Sequence, residues 1–372
     1  MLRVLQVSSA RAFGGGERHL ADLARGLHAR GHEVLAALRE GSPLRARLDF
    51  LPAHNVHTLP LRNALDLKSA RALSRLVRER EVDIIHAHVA RDYAPASIAA
   101  RLAPASRLVI TRHVLFPLNP LHRLSLSNVA RVIAVSEPVA RALRSQKIFD
   151  EDRLRVVENG VDLERFERAR AAAEHDAADR PLRVGIVGEL SEVKGQLEFV
   201  RAAALVAEEF GGRVEFLVVG EDNSRGGEYR ARVERLINDL ALTSRVRLLG
   251  RVEDASGEVV KLDLLVSASH SESFGMAMAE ALVCGVPVVA TATEGAQSLI
   301  EEGVNGLLVP VGDARALAAA VSSLLADEER RSRMGARAHS SARERFSLER
   351  MVEATERVYE ETLTCFSASD EI

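Results

Sequence analysis

Tryptophan is absent, and aromatic residues make up 4% of the 372 positions. Proteins that grip nucleic acid interleave basic runs with aromatics, and no such run occurs here, so a nucleic-acid partner is not expected. The two cysteines, Cys284 and Cys365, are too few for a disulfide framework and suit a reducing compartment. No stretch approaches the roughly 18 uninterrupted apolar residues that span a bilayer. The longest apolar run, 281–292, is broken by Gly285 and Pro287. The N-terminal apolar run, 2–7, is short and is followed at once by Arg11 and a glycine cluster, which is not a signal-peptide pattern. A cytoplasmic protein is expected.

What the chain does have is a globular balance, 47% apolar and 28% charged. Its length suits two α/β domains of about 180 residues each. The net charge of −3 conceals an asymmetry: residues 1–180 hold 29 Lys and Arg against 21 Asp and Glu, a net of +8, and the remainder nets −11. Two readings fit the basic half. Either it meets an anionic partner, such as a charged acceptor or the inner face of an anionic membrane, or its arginine-rich helix faces are simply solvated.

Short apolar runs alternate with segments of helical period. The runs at 4–7, 33–38, 82–87, 108–111 and 132–135 read as strands, with helices over 18–30 and 70–80 between them. The segment 165–180, rich in Ala, Arg, Glu and Asp, reads as a linker or a solvated helix. The pattern restarts with strands at 182–187, 214–219, 246–248, 264–267 and 286–290. Strands alternating with helices imply parallel sheets covered on both faces. The division expected is 1–172, 173–345, and a terminal helix within 346–372 that packs back on the first domain.

Four motifs carry candidate chemistry. Glu272-Ser273-Phe274-Gly275-Met276 leads from a strand and a polar turn into strong helix formers that continue through Glu280. That places a helix N-terminus near residues 274–276, where free N–H groups and the helix dipole favour a diphosphate. Glu280 lies about 8 Å farther along the axis, so Glu272 and Glu280 could bind separate sets of hydroxyls, or be an ordinary acidic helix start and a solvated side chain. Lys194-Gly195 follows the strand 182–187, where a lysine can reach a phosphate at the carboxyl edge of a sheet, or be a plain surface lysine. Gly185-x-x-Gly188 falls short of a dinucleotide fingerprint. Gly14-Gly15-Gly16 after the first strand allows backbone to lie against a ligand but is not a P-loop. His86, His88 and His113 end two strands at one sheet edge. Zinc would need a third protein ligand, and no nearby carboxylate or cysteine presents itself, so no metal is expected. His113 suits a substrate hydroxyl or a proton relay, and His86 suits a structural role.

In order and spacing this set resembles the family 4 retaining glycosyltransferases of the GT-B fold. The resemblance runs through Gly14-Gly15-Gly16-Glu17, Val82-Asp-Ile-Ile-His86-Ala-His88, Thr111-Arg-His113, Ile133-Ala-Val-Ser136-Glu137, Asn159-Gly-Val-Asp162 with Phe166, Lys194-Gly195, Glu272-x7-Glu280 and Gly285-x-Pro287-Val288-Val289. It implies two Rossmann-like domains facing each other across a cleft, the first for the acceptor and the second for the nucleotide sugar.

It also implies roles. Glu272 holds donor-sugar hydroxyls. Backbone amides along Ser273, Phe274, Gly275 and Met276 hold the diphosphate, and Glu280 the ribose. Lys194 neutralises the leaving diphosphate, the loop of Gly14, Gly15 and Gly16 approaches the phosphate, and His113 sits beside the donor sugar. The implied reaction is hexosyl transfer with retention from a UDP or GDP sugar to a glycan or lipid-linked acceptor in cell-envelope synthesis. It needs no metal and no cofactor beyond the nucleotide sugar itself. One residue departs: relatives carry arginine where this chain has Glu189, and a carboxylate there cannot neutralise a diphosphate. Arg112 is a candidate replacement cation. The departure also motivates a non-catalytic sugar-nucleotide-binding protein as an alternative. A nucleotide-sugar epimerase or hydrolase is a further one, against which Glu272-x7-Glu280 speaks.

Overall fold

The computed structural model describes residues 1–173, 180–224, 226–252 and 254–367, with side chains as far as Thr364. Two compact units emerge. The first comprises Met1–Gly160 and the segment from Leu348 onward, the second Val161–Ser347. The chain thus changes unit at 160/161 rather than at 172/173. The part of the 165–180 segment that is described forms a helix, Leu163–Ala173, anchored by buried Phe166. Its remainder, 174–179, lies outside the described residues, as does the side chain of Cys365. Cys284 is a free thiol, which burial pushes up to about 12.

The first unit carries a seven-stranded parallel sheet. Its strands are β1 (Arg3–Ser8), β2 (Glu33–Arg39), β3 (Val56–Leu59), β4 (Ile84–Ala87), β5 (Arg107–Arg112), β6 (Val129–Ala134) and β7 (Leu154–Val156), ordered β3-β2-β1-β4-β5-β6-β7. The second unit carries β8 (Leu182–Val187), β9 (Val214–Val219), β10 (Val246–Gly250), β11 (Leu264–Ser267), β12 (Val288–Thr291) and β13 (Gly306–Val309), ordered β10-β9-β8-β11-β12-β13 and again parallel. Successive strand residues point to opposite faces, so a run buried throughout, such as β6, is covered on both sides. The sequence pattern missed β3, β7 and β13. All three are short edge strands, and β3 and β7 are only partly buried, so they lack a continuous apolar signature.

The last helix, Leu348–Ser367, packs into the first unit's own core. Met351, Val352, Val358 and Tyr359 join the cluster built by Leu20, Leu23, Leu27 and Ile84. Close approach is possible because Gly26 lacks a side chain: a Cβ there would stand 2.4 Å from Val352 Cγ2. Polar contacts fix the helix rotation. Glu356 bonds Arg30 at 2.8 Å and His32 at 2.7 Å, and Glu361 bonds Arg155 at 2.8 Å.

In both sheets the strand order reverses at one point, between β1 and β4 and between β8 and β11. In open parallel sheets, ligands bind beyond the carboxyl ends of the strands at such a reversal.

Candidate functional site

In the second unit, β8 ends at Val187 and the chain runs through Gly188 to a single 3₁₀ turn, Glu192–Lys194. Gly195 closes the turn with φ +68°, and a Cβ there would lie 2.0 Å from Ala268 O. Both the backbone angle and the crowding demand glycine, and together they hold Lys194 against the loop that follows β11. That loop reaches Glu272, and Lys194 Nζ donates to Glu272 Oε2 at 2.6 Å. Ser269 Oγ also approaches the same oxygen, at 3.4 Å. Glu272 is fixed from its backbone too: its carbonyl accepts from Gly295 N–H at 2.9 Å, and a Cβ on Gly295 would stand 2.6 Å from that carbonyl.

Beyond Glu272, Ser273 leads to Phe274, which is buried and packs edge-on against Phe346 at 5.7 Å between ring centroids. Gly275, at φ +102°, precedes the helix Met276–Val283. The first N–H groups of this helix have no intrahelical acceptor and present partial positive charge. Glu280, in the same helix, is buried. Glu189 is exposed, and its carboxylate accepts from Asn223 Nδ2 at 3.1 Å, so its charge is engaged with a neighbouring loop.

In the first unit, Gly14 precedes the helix Gly15–Ala29, and its N–H donates to Glu17 Oε2 at 2.9 Å. A Cβ on Gly16 would lie 3.5 Å from the His113 ring, so loop and histidine are neighbours. Three further imidazoles lie around them. His86 is fully committed, to Tyr359 Oη at 2.6 Å and Thr111 Oγ1 at 2.7 Å. His88 Nε2 bonds Gln6 Oε1 at 2.7 Å, and its Nδ1 faces His113 Nε2 at 3.4 Å. His19 packs edge-on against His113 at 4.9 Å between centroids. Burial lowers the His19 pKa to about 4, partly offset by the neighbouring Asn159 side chain. Burial first, then the neighbouring imidazoles, hold His88 and His113 well below the ordinary range. All are neutral at pH 7. Arg112 is buried and donates to Phe116 O, so the proposed substitute cation is occupied within its own unit.

His19, Gln6 and Tyr359 carry no site role in the motifs above, and Asn159 enters there only within Asn159-Gly-Val-Asp162. Helical spacing offered a clue to the first: His19 stands three residues after Gly16 and four after Gly15, on one helix face. Gln6 and Tyr359 come from distant segments, and no local pattern marks them.

Residues 167–341 match the model of glycosyl transferases group 1, and residues 13–165 match that of glycosyltransferase family 4. The chain belongs to glycosyltransferase family 4. Among its relatives is the lipopolysaccharide core biosynthesis glycosyltransferase LpsE of Rhizobium meliloti (strain 1021), 29% identical over 92% of this chain and 94% of LpsE. Another is the N-acetyl-alpha-D-glucosaminyl L-malate synthase of Bacillus anthracis, 28% identical over 92% of each chain. In fold, the chain is similar to Anabaena Alr3699/HepE, whose structure was determined in complex with UDP and glucose. The TM-score is 0.84 over 97% of this chain and 100% of that one, at 23% identity. The two Rossmann-like parallel-sheet units are thus those of a GT-B glycosyltransferase.

Proposed function

We propose that this family 4 enzyme transfers a hexosyl group, with retention at the anomeric carbon, from a UDP sugar to a glycan or lipid-linked acceptor of the cell envelope. The observation that carries the reading is the Lys194–Glu272 pair. It lies at the strand-order reversal of the second sheet, beside the start of the helix Met276–Val283. An arriving diphosphate takes its charge balance from Lys194 and from the N–H groups at Ser273, Phe274, Gly275 and Met276. Glu272, relieved of its lysine, accepts hydrogen bonds from sugar hydroxyls, and Glu280 accepts from the ribose. UDP is favoured over GDP by the ligand of the Anabaena neighbour, and an envelope acceptor by the lipopolysaccharide-core relative.

The acceptor oxygen bonds to the anomeric carbon on the face from which the diphosphate departs. The sugar–phosphate C–O bond breaks, its electron pair leaves with the diphosphate, and a diphosphate oxygen takes the acceptor proton. Catalysis then rests on positioning and on stabilising the departing charge. No metal or further cofactor enters this scheme. Glu189 supplies no cation, which leaves Lys194 and the helix start to neutralise the diphosphate.

The test is UDP release from UDP-hexoses by the full chain supplied with an envelope extract, with the product's anomeric configuration read by NMR. UDP formation with a retained configuration is expected. Inverted product, or tight UDP binding with no turnover across donors, contradicts the reading.

We further infer that the first unit docks on an anionic membrane, with the protein otherwise cytoplasmic. Phe116, Leu121 and Leu124 expose 69%, 72% and 76% of their surface, with exposed Arg123 among them. Apolar side chains interspersed with cations suit a headgroup layer. Among the described residues, no helix is long and apolar enough to cross a membrane.

A further inference from the structure

The histidine cluster of the first unit contains more nitrogen donors than its hydrogen bonds consume. Gln6 Oε1 accepts from His88 Nε2, which fixes the proton on that nitrogen and leaves the lone pair on Nδ1. That nitrogen lies 3.4 Å from His113 Nε2, a long hydrogen bond that a bound metal would replace. Two imidazole nitrogens on one tetrahedral zinc stand about 3.3 Å apart, given bonds of about 2.0–2.1 Å. His19 is 3% exposed, and among the described residues neither of its ring nitrogens has a hydrogen-bond partner. A buried, unpartnered imidazole is costly, and such a group calls for an occupant. One donor atom from each of His19, His88 and His113 lies within 4.8 Å of the other two.

We propose that His19, His88 and His113 form a binding site for a divalent transition metal of the zinc class. Three neutral imidazoles are a donor set that selects zinc, cobalt, nickel or copper over magnesium or calcium, which require oxygen ligands. Two features of the surroundings fit. Gln6 holds the His88 ring by its second nitrogen, the arrangement that orients metal-bound histidines. The Asn159 Oδ1 atom is also buried and unpartnered among the described residues, and its side chain neighbours His19. His86 is excluded as a ligand, because both its nitrogens are taken by Tyr359 and Thr111. The third ligand that the sequence did not offer therefore comes from the helix Gly15–Ala29, brought to the edge of the sheet by the fold.

The experiment uses the full chain, stripped with a chelator, and Zn²⁺ and Co²⁺ as probes. Isothermal titration is expected to give one Zn²⁺ per chain. The affinity falls at least tenfold in His19→Gln and in His88→Gln, and is unchanged in His54→Gln, an exposed histidine of the same unit. Absence of saturable Zn²⁺ binding, or binding that neither His19→Gln nor His88→Gln weakens, overturns the site. Should a buried variant fail to fold, X-ray absorption of the Co²⁺-loaded wild type decides. A shell with three imidazole nitrogens is expected, and a shell of oxygen ligands alone overturns the proposal.

Discussion

Lys194 and Glu272, 78 residues apart in sequence, meet at 2.6 Å beyond the ends of two neighbouring parallel strands, β8 and β11. Each holds the other in place until a ligand arrives, with the lysine one-third exposed and the carboxylate mostly buried. In the proposed function the pair serves as a preorganised cation and a preorganised acceptor, separable by a diphosphate. Truncating either side chain should cut kcat by about 10²–10³, the usual loss for one charge-stabilising group. Steady-state kinetics of Lys194→Ala and Glu272→Ala check this. Wild-type turnover in both variants would remove the pair from the catalytic site.

The buried imidazoles make the first unit sensitive to acid. His19 has a folded pKa of about 4 against 6.5 in the unfolded chain, and His86, His88 and His113 shift in the same direction. A depressed folded pKa gives stability that is fully present above pH 6.5 and lost as pH falls, for His19 through about 4. Between those values an unfolded His19 binds more protons than the folded one, at about 1.4 kcal/mol per pH unit. Calorimetry from pH 7 to pH 4.5 should show a falling melting temperature. The fall should be shallower in His19→Gln, and a flat profile in the wild type would contradict the shifts.

Gly26 fixes the packing of the terminal helix. The methyl of Gly26→Ala would meet Val352 Cγ2 at 2.4 Å, and Val352 is buried. Overpacking should cost about 1–3 kcal/mol and outweigh the gain in helix propensity from alanine. The double variant Gly26→Ala/Val352→Ala should recover part of that loss. Chemical denaturation of the three variants measures it, and an unaltered midpoint for Gly26→Ala would show that the helices slide apart freely.

Much of this architecture was legible in the order of apolar runs, because strands covered on both faces are written as unbroken hydrophobic segments. The strands β1, β2, β4, β5, β6, β8, β9, β10, β11 and β12 were found that way. Edge strands such as β3, half-exposed, carry no such mark. The Lys194 and Glu272 motifs were visible because glycine punctuates each, and the structure gives the reason: Gly195 and Gly275 occupy left-handed backbone that other residues avoid. What local patterns could not reveal were long-range pairings. Tyr359 reaches His86 across 273 residues, and His19 joins His88 and His113 only after the sheet has formed. The boundary at residue 160 was equally hidden, since the helix Leu163–Ala173 shows little apolar surface beyond Phe166.

Docking on membranes should follow from the exposed apolar side chains more than from charge. Vesicles containing anionic lipid should sediment the wild-type chain, with binding weakened by salt. Leu121→Ser/Leu124→Ser should bind less at every salt concentration while keeping its fold. Equal partitioning onto neutral and anionic vesicles would reject an electrostatic contribution.

The proposed transfer requires a pyrophosphate held where the helix Met276–Val283 begins. Isothermal titration of UDP into the wild type, Lys194→Ala and Glu280→Ala tests this directly. Saturable binding by the wild type, weakened about tenfold or more in each variant, is the predicted result. UDP bound with equal affinity by all three proteins would contradict it.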